Sequence, residues 1–294
     1  MRPPPITPFF TYTLGSSLYV PLTCRCNSLT LPETRGPNFL LPRDVVASLM
    51  RVREMELQRD DGNDDDNDNL FWEVKTIDSL VEGKQKLPSL LGKNKVQEYP
   101  DGNQHVVHPK VPDLMEEIRL QMENNDVDKT STTKITSVVI AGEGEPTLRL
   151  NDLLSLTEQL SSSSWFSESS SSSSSIRLTT NGLIPSQQAS SISNGKQESN
   201  VPQLLQSHGV SHVSVALMSA DPLQYEALMQ PLLLVEEDNA HSQVCRFIQQ
   251  AADTNGLEVE VTAVDRPEVN KETLESLAKS LSVENPVRWR PYFE

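Results

Sequence analysis

The chain is short of cysteine, carries no basic excess and has no long apolar run, and each shortage removes a class of function. Three cysteines in 294 residues, Cys24, Cys26 and Cys245, do not make a disulfide framework, which fits a reducing compartment. Lysine and arginine total 25 against 41 aspartates and glutamates, a formal charge of -16, and neither nucleic acid nor an anionic membrane is expected as partner of such a surface. No stretch approaches the roughly 18 apolar residues of a membrane span, and the start Met1-Arg-Pro-Pro-Pro-Ile-Thr-Pro8 lacks a signal-peptide core, so a cytoplasmic protein is expected. A Gly-x-Ser-x-Gly elbow is also missing, which leaves a serine hydrolase without support.

What is present divides into patterned stretches and low-complexity tracts. The acidic run Asp60-Asp-Gly-Asn-Asp-Asp-Asp-Asn-Asp-Asn69 opens a polar region that continues to about Gln104. Residues 55–109 read as a largely disordered insertion, because such a composition cannot bury enough apolar surface to offset chain entropy. The run is not a calcium loop: counted from Asp64, the sixth position holds Asn69 where glycine is needed and the twelfth Lys75 where glutamate is needed. Residues 161–175, nearly all serine around Trp165-Phe166, and 187–200 read as expanded loops. The expected layout is 1–54 as the start of a barrel, 55–109 as the insertion and 110–294 as the rest of the barrel.

Between the tracts, strands and helices alternate. Strands are expected at 17–23, 135–141, 176–180, 210–217, 257–264 and 287–291. Helices are expected at 42–55, 111–124, 150–160, 221–229, 236–254 and 270–281, with Asn255-Gly256 as a stop. That alternation predicts an α/β fold with a parallel sheet, closed by right-handed crossovers into an incomplete barrel with its site at the strand carboxyl ends. One such end carries Gly142-Glu-Gly-Glu-Pro-Thr-Leu-Arg149. Its glycines allow close backbone approach to a ligand, Pro146 stiffens the exit and Glu145 offers an acceptor; the alternative is an ordinary strand-to-helix loop. It is not a phosphate loop, since no Lys-Ser or Lys-Thr follows and Glu143 and Glu145 repel phosphate.

Several motifs in order resemble the radical S-adenosylmethionine (radical SAM) superfamily, most closely its TatD-associated group. They are Leu18-Tyr-Val-Pro-Leu-Thr-Cys-Arg-Cys26-Asn27, Gly142 to Arg149, Thr179-Thr-Asn-Gly-Leu183, Val213-Ser-Val-Ala-Leu-Met-Ser-Ala-Asp221 with Tyr225 and Pro231, Val264-Asp-Arg-Pro-Glu-Val269 and Arg288-Trp-Arg-Pro-Tyr292. The resemblance implies a partial (β/α)6 TIM-like barrel of radical SAM type. It also implies a 4Fe-4S cluster on three cysteine thiolates, with S-adenosylmethionine on the open iron, and cofactor contacts from Gly142, Gly144, Glu145, Pro146 and Asn181.

The cluster motif is incomplete. Cys26 fits its first position, but Thr30 and Glu33 occupy the other two, and neither a hydroxyl nor a hard carboxylate replaces a thiolate. Cys245 is expected in the buried face of its helix. Ala216-Leu217-Met218 stands where family members commonly carry Ser-Leu-Asn. The loop beyond Cys26 is either plain or a new polar site of Thr34, Arg35 and Asn38, and Arg288 and Arg290 either bind an anionic substrate group or pair with nearby acids. The pairs His105/His108 and His208/His212 lack the further ligands of a zinc site. Two functions follow: a cluster-free, radical-SAM-like domain that binds a small molecule or protein, or is a degenerate homologue; or an enzyme whose cluster is unusual or completed by another chain.

Overall fold

The computed structural model describes residues 10–57, 84–85, 108–127, 134–167, 174–184, 200–232 and 239–294. In chain order the elements are β1 (Tyr12–Leu14), β2 (Ser17–Val20), α1 (Leu31–Thr34), β3 (Leu41–Pro42), α2 (Arg43–Leu57), β4 (Lys84–Gln85), α3 (Val111–Val127) and β5 (Ser137–Ile140). After a 3-10 turn (Pro146–Arg149) come α4 (Leu150–Ser162), α5 (Ser164–Ser167), β6 (Ser175–Thr180), α6 (Val201–Ser207), β7 (His212–Ala216) and α7 (Pro222–Met229). The chain closes with α8 (Ala240–Ala252), β8 (Glu258–Asp265), α9 (Lys271–Ser280) and β9 (Arg288–Pro291).

One seven-stranded sheet runs β1-β2-β5-β6-β7-β8-β9; β1 is antiparallel to β2 and every later pair is parallel. Strand order follows chain order without doubling back, so the sheet winds one way into a curled half-barrel. Each expected strand and helix is found, with shifted ends. The hairpin strand β1 was not expected; three residues are too few for a periodic signal, and its place is held partly by Tyr12 stacking on Tyr19 at 5.2 Å.

Alternation along the strands gives the sheet two unlike faces. Leu18, Val20, Val138, Ile140, Ile176, Leu178, Val213, Val215, Val261 and Ala263 are all fully buried beneath α3, α4, α6, α8 and α9. Each such aliphatic side chain contributes about 1.5–3 kcal/mol by leaving water. The helices are set by side-chain caps: Asn200, Asp221, Asn239 and Asn270 each accept a backbone N–H of the first turn. The other face carries Ser17, Ser137, Arg177, Ser214, Glu260 and Arg288, with Ser17 beside Ser137 and Ser214 beside Glu260.

Helix α2 runs on to Leu57, past the expected boundary at 54. Residues 58–83 and 86–107, most of the expected insertion, lie outside the described residues, as do most of 168–173 and 185–199. The serine tract differs from expectation where it is described: α4 extends to Ser162 and α5 spans Ser164–Ser167, because Phe166 is buried at 3 % exposure and anchors that turn to the core. Among the described residues no helix is long and apolar enough to cross a membrane.

Candidate functional site

The turn after β5 is shaped by the chain's own backbone. A Cβ on Gly144 would stand 2.5 Å from the Thr23 carbonyl oxygen and 2.8 Å from the Arg25 nitrogen, and one on Gly142 would stand 2.6 Å from Pro21 Cβ. Glycine at both positions lets the turn lie against residues 21–25, where Gly144 N–H donates to Thr23 O (3.2 Å) and Glu145 N–H to Arg25 O (2.8 Å). The close approach expected toward a ligand is made here to the extension of the neighbouring strand.

Glu145 is a clamp. Its Oε1 accepts from Thr147 N–H (3.0 Å), Thr147 Oγ1 (2.7 Å) and Thr180 Oγ1 (2.7 Å), and its Oε2 from Asn181 N–H (2.7 Å). It also caps the 3-10 turn that begins at Pro146. Burial pushes its carboxyl above the usual range, against the pull of these bonds. Asn181 reaches the other way: Nδ2 donates to Asn27 Oδ1 (2.7 Å) and Ser28 Oγ (3.0 Å) and lies 3.8 Å from Cys26 Sγ. Gly142, Gly144, Glu145, Pro146, Asn181 and Cys26 therefore converge at the carboxyl ends of β2, β5 and β6, whereas Arg288 and Arg290 stand on β9 at the far edge.

Thr30 and Glu33 face one another. Thr30 is the N-cap of α1: Glu33 N–H donates to its Oγ1 at 3.4 Å, while Thr30 N–H (3.0 Å) and Oγ1 (2.8 Å) donate to Glu33 Oε2. This reciprocal pair is a capping box, which satisfies the orphan amides at a helix start. The loop around it is held from outside as well, by Leu29 N–H to Met229 O (2.6 Å) and Leu232 N–H to Asn27 O (2.8 Å).

The three thiols occupy three settings. Cys26 is half-buried, and burial, then the Glu145 charge, pushes its thiol up to about 12. Cys24 lies in the core at 3 % exposure, and its N–H (3.0 Å) and Sγ (2.8 Å) both donate to Glu56 Oε2. Glu56 Oε1 meets His108 Nδ1 at 2.8 Å; burial raises this carboxyl, but bonds from His108, Cys24 and Thr23 outweigh it and leave it below its ordinary value. Cys245 is half-buried on α8, 3.9 Å from the His241 ring nitrogens. A 4Fe-4S cluster needs converging soft thiolates. Among the described residues no three His, Cys, Asp or Glu side chains are placed to hold a metal ion. The donor set does not fit the cluster.

Sequence reasoning missed two features of this region. Arg53 meets Glu143 through two contacts, Nε to Oε2 and Nη2 to Oε1, with both side chains almost fully buried. Burial pushes Glu143 up to about 7 while Arg53 pulls it down. Arg53 and Glu143 are 90 residues apart, so no local spacing signalled the pair. Tyr225 is fully buried, yet its hydroxyl has no hydrogen-bond partner among the described residues. Burial raises its pKa, with Cys245, Cys26 and Glu145 adding to the effect, and its helix α7 is tied to the loop after Cys26 by Leu29 N–H to Met229 O.

Other expected positions have local duties. Thr34 Oγ1 donates to Leu31 O (2.7 Å), Arg35 Nε to Pro291 O (2.8 Å), and Asn38 Nδ2 to Glu294 O, so two of the three tie down the carboxyl-terminal segment. Ala216, Leu217 and Met218 are buried in the core. His208 Nδ1 bonds Leu204 O (2.8 Å) at the end of α6, while His212 on β7 lies 3.1 Å from Glu258; His105 lies outside the described residues. Arg288 Nη1 lies 3.4 Å from Glu260 Oε2, while Arg290 Nε is buried with no partner among the described residues.

No family model matches the chain, and no curated protein does. Among solved structures, one of TYW1 with a lysine-pyruvate adduct bound aligns with this chain at 10% identity and a TM-score of 0.41. The match covers 63% of this chain and 53% of that one, so the chain spans about half of its neighbour's length.

Proposed function

We propose that this chain is a radical-SAM-type half-barrel working without an iron-sulfur cluster, as a ligand-binding domain that does not cleave S-adenosylmethionine. The observation that carries this reading is the Thr30–Glu33 capping box. The two positions that lack cysteine are occupied by a pair whose sequence and geometry already have a purpose, holding α1 and the loop without metal. Cys26 is the single cysteine left at the three cluster positions, so the alternative of an active enzyme completed by another chain would need the remaining thiolates from outside this loop.

Ligand binding is supported at the mouth by the orphan Tyr225 hydroxyl, since a buried polar group without a partner costs about 1–3 kcal/mol and a bound ligand can offset that. S-adenosylmethionine is one candidate occupant, with the Tyr225 hydroxyl as a polar contact; Glu145 and Asn181 already use their polar atoms in holding the turn. The cytoplasmic setting, the residue 55–109 insertion and the TatD-associated kinship belong to this proposal on sequence grounds.

The test is anaerobic reconstitution of the full chain with iron and sulfide, followed by visible absorption and iron counting. Wild type is expected to retain no iron after desalting, and about four irons per chain would overturn the proposal. The double variant Thr30→Cys/Glu33→Cys restores the thiol spacing and checks that the method detects a cluster when the ligands are present. Calorimetric titration of the iron-free protein with S-adenosylmethionine then asks whether the mouth accepts it.

A further inference from the structure

Among the described residues the inner face of the half-barrel gathers three arginines around one carboxylate, Glu260. Register places Thr179, Ser214 and Glu260 side by side on β6, β7 and β8, and pairs Thr262 with Arg288 and Val264 with Arg290 across β8 and β9. Arg177 precedes Thr179 by two residues and shares its face. Glu260 meets two of the three arginines: its Oε2 lies 3.4 Å from Arg288 Nη1 and 4.0 Å from Arg177 Nη2, and also accepts from Ser214 Oγ at 3.0 Å.

Arg290 has less. Its Nε is buried and has no hydrogen-bond partner among the described residues; burial and then Arg288 disfavour its charged form, against a pull from Glu260. Arg35 at the rim feels the same crowding: burial, then Arg290 and Arg288, bring it down to about 10. Among the described residues Glu260 is the carboxylate that Arg177 and Arg288 meet and whose charge acts on Arg290. Burying a cation beside like charges without a partner is costly, and an arrangement of this kind is stable when an anion completes it. The guanidinium fork matches phosphate and carboxylate oxygens in pairs. Access is open, since the side chains of Arg177 and Arg288 are 31% and 57% exposed.

We propose that Arg177, Arg288 and Arg290 form the binding site for a small ligand carrying a multiply charged oxyanion, either a phosphate group or paired carboxylates. Glu260 orients Arg177 and Arg288, and Arg290 supplies the buried contact at the carboxyl end of β9. This deepens the ligand-binding reading above by naming a ligand class, and its test is independent of iron. Iron uptake by wild type would overturn the cluster-free reading and leave the arginine site untouched.

The experiment titrates the full chain with inorganic phosphate and, separately, with succinate, reading thermal unfolding and calorimetric heat. At least one anion is expected to raise the wild-type melting temperature in a concentration-dependent way, by preferential binding to the folded state. Phosphate alone assigns a phosphate ligand, and succinate alone a dicarboxylate. Arg290→Gln is expected to weaken binding by at least about tenfold, the scale of one lost charge-assisted contact. In anion-free buffer the same variant keeps or raises the melting temperature, because it removes a guanidinium whose buried Nε has no partner among the described residues. Arg177→Gln, at the opposite side of the site, weakens binding as well. The proposal is overturned if neither anion binds wild type, if Arg290→Gln binds as tightly, or if that variant is destabilised without anion, which would make Arg290 a structural residue.

Discussion

The loop after β2 and the inner face of β9 treat their polar groups in opposite ways. In the loop, Thr30 and Glu33 satisfy one another, and beside them Glu145 takes four hydrogen bonds from the chain. On β9, Arg290 Nε is buried with no partner among the described residues. A self-satisfied polar network stabilises the fold and leaves little to offer a ligand, whereas an unsatisfied one weakens the fold until something binds. The motif that most resembles an active site is thus the part of the mouth most occupied with holding itself together. Tyr225, buried and unpartnered, is the exception there.

The contrast breaks most sharply at Glu145. Glu145→Ala strips the acceptor from Thr147 N–H, Thr180 Oγ1 and Asn181 N–H, all in a buried setting. At about 1–3 kcal/mol for each buried donor left unsatisfied, the expected loss is about 3–6 kcal/mol in denaturant unfolding. A variant that kept its stability and lost only affinity for S-adenosylmethionine would return the carboxylate to ligand duty and dissolve the comparison.

Thr30→Ala is the next smaller step. It removes one arm of the capping box, and such losses cost about 0.5–2 kcal/mol. Thr30→Ser keeps the hydroxyl and is expected to retain most of that stability. Equal behaviour of the two variants in thermal unfolding would show that the box contributes nothing, and the absence of cysteine there would lose its structural explanation.

Much of the fold was legible in the sequence because it depends on local repetition. The parallel strands read as apolar runs such as Ser137–Ile140, fully buried in the structure, and the helices between them carry cap residues such as Asp221 and Asn270. The site was less legible, for two physical reasons. Residue type alone did not reveal that Gly144 is pressed against Thr23 and Arg25, because that fit depends on how β2 and β5 lie side by side. Nor did spacing reveal the Arg53–Glu143 pair, whose members are 90 residues apart, or the meeting of Arg177, Glu260 and Arg288 across four strands. The pattern Thr30-x-x-Glu33 is written within four residues and could have signalled a capping box, but in the sequence the two positions read only as places where cluster cysteines are missing.

The smallest expected effect sharpens the comparison from the other side. Arg288 is 57% exposed and meets Glu260 at 3.4 Å, a pair that solvent screens and that holds a long side chain at an entropic cost. Arg288→Gln is therefore expected to shift unfolding by no more than about 0.5 kcal/mol in anion-free buffer. With phosphate or succinate present the same variant loses part of the ligand-induced stabilisation, because an exposed guanidinium on this face has more to do for the ligand than for the fold. If Arg288→Gln instead weakened the free protein as much as Thr30→Ala, the inner face would be a structural network like the loop, and the two regions would no longer differ in kind.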